Sequence, residues 1–172
     1  GERVFFVGGD TGEGFATIQA ALDEADQPGD VVFVLPKAGG YNESLVLNHS
    51  GVQLIAGTEE FGENPVVING IDGQAAITIA DNVTGVGIGT NAPNGGISNS
   101  FLINAGDAPG SVGIHVGDGA SANIIENIIS GGADSVLIEL ESDGSLIDGN
   151  SFAGADVAIS STVPGDYNEQ TL

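Results

Sequence analysis

The chain has 172 residues, enough for one domain with a substantial core, and no cysteine, which excludes a disulfide framework and thiolate metal sites. Its 24 Asp and Glu residues against two Lys and Arg residues give a net charge of −22, which excludes nucleic acid as a partner and disfavours anionic membranes. No run approaches the roughly 18 apolar residues of a membrane span, so we expect no direct membrane insertion.

The acidity itself has three explanations that the sequence leaves open. It is typical of a surface solvated in high salt, of a surface that recruits divalent cations such as calcium, or of a bacterial exoprotein whose composition has drifted acidic. A content of 41% hydrophobic residues argues against disorder.

The first element in chain order is a helix predicted over about residues 15–25, in FATIQAALDEA. Apolar residues fall there at helical spacing, and a Pro–Gly pair follows: Phe15, Ile18, Leu22, Ala25, then Pro28 and Gly29. A stack of coils exposes its core at an open end, so this amphipathic helix is predicted to cap that end. The capping region is expected to span residues 1–30, with stacked coils over 31–172 and no domain boundary.

Short apolar runs follow the helix and are predicted to be strands. They are VVFVL (31–35), SLVL (44–47), VQLI (52–55), VVI (66–68) and AITIA (76–80). The segments NAPNGG (91–96) and GDAPG (106–110) are predicted to be loops inserted into longer turns.

The second half of the chain repeats itself. The segments VGIHVGD (112–118), VLIELES (136–142) and VAISS (157–161) align Ile114, Ile138 and Ile159 at steps of 24 and 21 residues, and Ile77 and Ile79 continue the columns of Ile114 and Val116. Apolar residues alternate within these segments, as in a strand with one buried face: Val112, Ile114 and Val116, then Val136, Ile138 and Leu140.

A second register concerns asparagine. Asn99, Asn127 and Asn150 align at steps of 28 and 23 residues, each followed two residues later by a bulky apolar residue: Phe101, Ile129 or Phe152. Stacked asparagines are expected to form a hydrogen-bonded ladder. Short strands in units of about 22 residues, with no helical pattern between them, predict an all-β chain folded as a right-handed parallel β-helix, a solenoid with a capping helix.

The stretch GEGFATIQAALDEADQPGDVVFVLPKAGGYNESLVL (12–47), with a helix, a first strand and a G-Y-x-E turn, resembles the N-terminal entry of the pectin lyase-like β-helix superfamily. Within that superfamily it is most similar to the opening of pectinesterases. The resemblance implies the fold more than an activity, because the pectinesterase motifs Q-D-T, D-F-I-F-G and G-R-P-W do not occur in this sequence.

The resemblance also shows what other enzymes of this fold require. Polysaccharide lyases use an Arg or Lys base with calcium, but Lys37 lies beside the predicted cap and Arg3 in a terminus that is expected to fray. Polygalacturonase-type hydrolases need a basic pair, which is missing. Two carboxylates could hydrolyse a neutral glycan, so an enzyme stays open while no catalytic residue is assigned.

The candidate site comes from the repeat register. If Ile114 and Val116 point inward, an outward column carries four polar residues, and a flanking position adds a further carboxylate: Thr78, His115, Glu139 and Ser160, with Glu141. These five are predicted to bind a sugar chain, and Glu139, Glu141 and Asp143 are candidate calcium ligands. The competing interpretation is an ordinary solvated face of a sheet.

Three functions are therefore considered. The favoured one is a non-catalytic module of a bacterial secreted or cell-surface protein, a rigid stalk or adhesin-type domain within a larger polypeptide. The alternative is a carbohydrate-binding β-helix attached to a polysaccharide-degrading enzyme, whose partner would be a polysaccharide or a host or cell-surface glycan. The third is a polysaccharide-modifying enzyme.

Overall fold

The computed structural model describes residues 2–57, 65–89 and 101–162 and shows a parallel β-helix with one short helix. The predicted fold class is confirmed. The elements are β1 (Val4–Val7), α1 (Ile18–Glu24), β2 (Val31–Val34), β3 (Tyr41–Asn42), β4 (Leu45–Leu47), β5 (Gln53–Ala56), β6 (Val66–Asn69), β7 (Ala75–Ile79), β8 (Val86–Ile88), β9 (Phe101–Asn104), β10 (Val112–Val116), β11 (Ala122–Ile125), β12 (Ile128–Ser130), β13 (Val136–Leu140), β14 (Leu146–Asp148), β15 (Ser151–Ala153) and β16 (Val157–Ser161).

Three parallel sheets run along the stack, and each coil from β2 onward contributes one strand to each sheet. Sheet 1 has the order β1-β2-β5-β8-β11-β14, sheet 2 the order β3-β6-β9-β12-β15, and sheet 3 the order β4-β7-β10-β13-β16. The step between neighbouring strands of sheet 1 is 22 residues from Val31 to Gln53 and 23 from Asn123 to Leu146. It rises to 34 and 36 residues in the two steps through Gly87, where the chain carries longer connections.

The core consists of apolar columns that climb the inside of the sheets. In sheet 1 the column is Val32, Leu54, Ile88, Ile124 and Ile147. In sheet 3 it is Leu45, Ile77, Ile114, Ile138 and Ile159. Since β-branched side chains pack well on a pleated surface, these residue types favour the strands that they occupy.

The predicted alternation holds only for part of the sheet 3 strands. Ile138 and Leu140 are fully buried, but Leu137 is also buried, at 1% exposure, while Val136 is only half-buried. The strand therefore buries Leu137 and Ile138 in succession, and the regular in-out pattern begins only at Ile138. The predicted inward position of Val136 is wrong for this reason.

The capping helix is confirmed, in a shorter form than the predicted 15–25. Thr17 precedes it, and the Thr17 side chain accepts a hydrogen bond from the Ala20 N–H, as an N-cap does. The buried face carries Ile18, Ala21 and Leu22, which join the core of the first coil. The helix contacts β1, β2 and β4, so it covers the end of the stack.

The asparagine ladder is confirmed for two of its three predicted members. Asn127 and Asn150 are buried, and the Asn150 Oδ1 accepts hydrogen bonds from the Asn127 backbone N–H at 2.9 Å and from its side-chain amide at 3.3 Å. The residue before each asparagine turns the chain through the left-handed region, with φ 56° at Glu126 and φ 67° at Gly149.

The third predicted member of that ladder, Asn99, lies outside the described residues, as does the predicted loop 91–96. The predicted alignment of Phe101 with Ile129 is wrong, because β12 pairs with β9 so that Ile129 lies beside Ile103. Phe101 is still buried, two residues earlier on the same face. The loop predicted at 106–110 does connect β9 to β10. In the described part of the chain, no helix is long and apolar enough to cross a membrane.

Candidate functional site

The predicted outward column lies on sheet 3, where the register places its members on neighbouring strands. His115 pairs with Thr78 on one side and with Glu139 on the other, and Glu139 pairs in turn with Ser160. We call these four residues, together with Glu141, the outward strip. The structure therefore brings the predicted residues together in the predicted order.

The chemistry of the outward strip centres on His115. Its Nδ1 lies 2.6 Å from Glu139 Oε1, and its Nε2 lies 3.7 Å from Glu141 Oε2. The first contact is a strong hydrogen bond, whereas the second is too long for one and acts only when the imidazole is protonated. The three side chains are 23%, 36% and 44% exposed for His115, Glu139 and Glu141, so solvent screens these interactions.

The imidazole is therefore hydrogen-bonded to Glu139, while Glu141 lies nearby at the surface. Thr78 and Ser160 lie in the same column but make no side-chain hydrogen bond with another described residue. Neither hydroxyl is therefore hydrogen-bonded to His115, the contact by which a base activates a nucleophile.

The candidate calcium ligands are not assembled into a coordination site. Asp143 lies in the exposed turn after β13, while Glu139 and Glu141 lie beside His115. Within residues 2–57, 65–89 and 101–162, no group of three or more His, Asp or Glu side chains is placed to hold a metal ion. Calcium needs six to eight oxygen ligands around one point.

A cluster of ion pairs around a buried carboxylate at the N-terminal end was missed by the sequence analysis. The Asp30 side chain is inaccessible to solvent and accepts hydrogen bonds from the Arg3 guanidinium and from the Gln27 backbone N–H, and Arg3 also binds Asp26. We call Arg3, Asp26 and Asp30 the N-terminal clamp. The expectation that Arg3 would fray is wrong, because these contacts and strand β1 hold it.

The charges of the clamp reinforce one another. Hydrogen bonds from Arg3 hold the pKa of both Asp26 and Asp30 below the ordinary value for a carboxyl group, and the two carboxylates raise the pKa of Arg3. The Arg3 guanidinium is therefore held in ion pairs within the fold and is not free to act as a catalytic base or to bind an acidic polymer.

The G-Y-x-E turn also has a structural role. The Glu43 carboxylate accepts hydrogen bonds from the backbone N–H groups of Ile18, at 2.9 Å, and Gln19, at 3.1 Å. These donors have no partner within the helix itself, so Glu43 ties the helix N-terminus to the first coil.

A second, outer ladder runs along the ends of the sheet 2 strands and was also missed. The Asn69 amide donates to Asn42 Oδ1 at 3.1 Å, the Asn104 amide donates to Asn69 Oδ1 at 2.7 Å, and the Ser130 hydroxyl donates to Asn104 Oδ1 at 2.6 Å. We call these four residues the outer ladder. A strand-final asparagine after an apolar run, in VVING (66–70) and FLINAG (101–106), was the available signal.

A groove of about 400 Å³ runs beside the outer ladder. It is lined by amide, hydroxyl and backbone groups from four consecutive coils: Asn69, Gly70, Asn104, Gly106, Asp107, Ser130, Gly131, Ala153 and Gly154. The predicted site residues on sheet 3 do not line it. The structure thus separates the outward strip from this groove.

Comparisons of the chain with models of protein families, with curated proteins and with solved structures give no match.

Proposed function

We propose that this chain is a non-catalytic β-helix module of a bacterial secreted or cell-surface protein, acting as a rigid adhesin-type domain within a larger polypeptide. We also propose that it belongs to the pectin lyase-like group of β-helices. The helix cap held by Glu43 of the G-Y-x-E turn supports that grouping.

The state of the outward strip is the observation that carries the proposal. His115 is held by Glu139, and Glu141 lies on its other side, so the groups best suited to acid–base chemistry are engaged with one another at the surface. General acid–base catalysis needs such groups within reach of a bound substrate. A sheet face whose polar side chains are partly exposed and hydrogen-bonded to one another supports a structural or adhesive role.

The scarcity of cations supports the same conclusion. The chain carries only two Lys and Arg residues, and Arg3 is bound to Asp26 and Asp30. Lys37 lies 5.4 Å from the centre of the Tyr41 ring, at the capped end of the stack. Neither cation lies beside the outward strip, so an acidic polymer would find no counter-charge there.

Rigidity follows from the way in which the coils are joined. Every sheet is parallel and in register, and the core columns are continuous from the first coil to the last described one. Stability in such a stack comes from contacts between neighbouring coils, which makes the module stiff along its axis.

The proposal is tested by incubating the purified protein with neutral and acidic polysaccharides and measuring new reducing ends and unsaturated products. We expect no product above the rate of a heat-denatured sample. Product formation that is lost in Glu139→Gln would overturn the non-catalytic proposal. Asp81→Asn, in a turn outside the strip, serves as the matched control.

A carbohydrate-binding module is the second candidate, and one observation favours it. The groove beside the outer ladder offers amide, hydroxyl and backbone groups over four coils, with the carboxylate of Asp107, and sugar hydroxyls can hydrogen-bond to such a surface.

A further inference from the structure

The groove beside the outer ladder has the dimensions of a ligand site. Its volume of about 400 Å³ lies within the range of small-molecule pockets, and it extends across the ends of β6, β9, β12 and β15. Neighbouring rungs of a parallel sheet are separated by about 4.8 Å, so these four strands span about 14 Å along the axis. A linear ligand lying parallel to the axis would meet an equivalent position at every rung.

The hydrogen-bonding capacity left in the groove is concentrated at Asn104 and Ser130. The Asn69 amide group is saturated, because it donates both to Asn42 Oδ1 and to the Gly39 carbonyl. The Asn104 amide donates only to Asn69 among the described residues, which leaves one N–H available.

Acceptors lie next to that free donor. Asn104 Oδ1 accepts a hydrogen bond from the Ser130 hydroxyl. Asn104 Oδ1 and Ser130 Oγ therefore both keep lone pairs that the outer ladder does not use. A donor and two acceptors on the neighbouring strands β9 and β12 match a sugar hydroxyl, which both donates and accepts. The ladder also fixes the orientation of these groups before any ligand arrives, which lowers the entropy cost of binding.

The charge of the groove selects against acidic ligands. Asp107 is the only ionisable residue among those that line it, and the net charge of the whole chain is −22. A uronate, sulfate or phosphate group would be repelled, whereas the Asp107 carboxylate can accept a hydrogen bond from a neutral hydroxyl.

From this placement we propose that the groove binds a neutral glycan, with the sugar chain parallel to the β-helix axis and anchored at Asn104, Ser130 and Asp107. The inference rests on the adhesin-type function proposed above and assigns its ligand class and binding surface. The groove lining has no aromatic side chain, so binding is weak per site and gains strength from several sites together.

The test uses the ¹⁵N-labelled full chain titrated with xylohexaose, cellohexaose and mannohexaose, and with an oligogalacturonate of the same length as the charged probe. We expect amide shifts at Asn104, Ser130 and Asp107 with at least one neutral hexamer, and at least fivefold weaker binding of the oligogalacturonate. Shifts confined to the outward strip, or no shift with any neutral hexamer at millimolar concentration, would overturn the inference.

Two variants test independently whether the groove is the binding site. Ser130→Ala removes a hydroxyl and should weaken binding about fivefold, the usual effect of one lost hydrogen bond. Ala153→Trp, at an exposed position on the groove wall, should abolish binding by filling the space. Asp81→Asn, in an exposed turn that does not line the groove, is the matched control and should bind as the unmodified chain does.

The result separates the two proposals. If Ala153→Trp binds the neutral hexamer unchanged, the groove is not the site, and the non-catalytic module is unaffected. If the same incubations release shortened sugars, the non-catalytic proposal fails even when the groove binds the glycan.

Discussion

Shortening one isoleucine in the central column of sheet 3 should cost far more stability than the same change at the end of the column. Ile114 is fully buried between Ile77 and Ile138, whereas Ile159 is only partly buried in the last described coil. The two residues share a chemical type and a column, so they differ chiefly in how closely their neighbours enclose them.

The magnitude for Ile114→Ala follows from its surroundings. Removing roughly three buried carbon groups costs about 2.4 kcal/mol in transfer free energy, at about 0.8 kcal/mol each. The rungs on both sides are held by backbone hydrogen bonds and cannot collapse into the space, so the cavity raises the total to about 4 kcal/mol. For Ile159→Ala, with one neighbouring rung among the described residues and partial exposure, we expect about 1–2 kcal/mol.

The assay is urea unfolding followed by circular dichroism, with the free energy of unfolding extrapolated to water for each variant. Equal losses for the two variants would show that Ile114 is not enclosed more fully than Ile159. A loss below about 2 kcal/mol for Ile114→Ala would likewise refute a stacked, closely packed column.

Three other changes test contacts that hold the ends and turns of the stack. Glu43→Ala removes the acceptor that caps the helix N-terminus and should cost about 1–2 kcal/mol of unfolding free energy, measured in urea. Arg3→Met removes the cation that lowers both carboxyl pKa values of the N-terminal clamp from their ordinary 3.8. A carboxyl pKa that is lower in the folded state stabilises the fold at pH values above 3.8, and this stabilisation disappears as the pH falls through the folded pKa. The melting temperature of the unmodified chain should therefore fall more steeply than that of Arg3→Met between about pH 5 and pH 2. Asn150→Ala leaves buried donors without an acceptor and should cost about 2–3 kcal/mol.

Two of these changes have a matched control elsewhere in the chain, and Arg3→Met is compared with the unmodified chain. The control for Glu43→Ala is Glu24→Ala, which removes an exposed carboxylate from the helix that Glu43 caps. The control for Asn150→Ala is Asn123→Ala, which removes an exposed amide from strand β11. Both controls should change the free energy of unfolding by less than about 0.5 kcal/mol. If a control variant lost as much unfolding free energy as the variant it is paired with, the role assigned to Glu43 or to Asn150 would be wrong. Parallel pH profiles for Arg3→Met and the unmodified chain would contradict the assignment of the clamp.

The sequence was sufficient to predict the sheet 3 columns because their spacing is short and nearly constant. Ile114, Ile138 and Ile159 recur at steps of 24 and 21 residues, and the structure aligns all three. The outward strip could be placed for the same reason, since the residue after each isoleucine has to face the other way.

The error at Phe101 shows the limit of such patterns. A slip of two residues keeps every side chain on the same face of a strand, so it leaves the apolar pattern unchanged. Phe101 and Ile103 are both fully buried, and only the pairing of Ile103 with Ile129 distinguishes the two registers.

The outer ladder and the N-terminal clamp could not be found by looking for a fixed repeat. Asn42, Asn69 and Asn104 are separated by 27 and 35 residues, because the connections between coils differ in length. Arg3 meets Asp30 across 27 residues through the pairing of β1 with β2, a strand pair that the sequence analysis did not predict.

Gln19 has a consequence for one edge of sheet 3. Its side-chain amide accepts from the Val46 N–H at 2.8 Å and donates to the Val46 carbonyl at 3.1 Å, on the edge strand β4. An unpaired edge is a template on which another chain can add a strand and start a fibril. Because Gln19 occupies both the N–H and the carbonyl of Val46, another strand cannot pair with that residue. Any lengthening of sheet 3 is therefore favoured at its opposite edge.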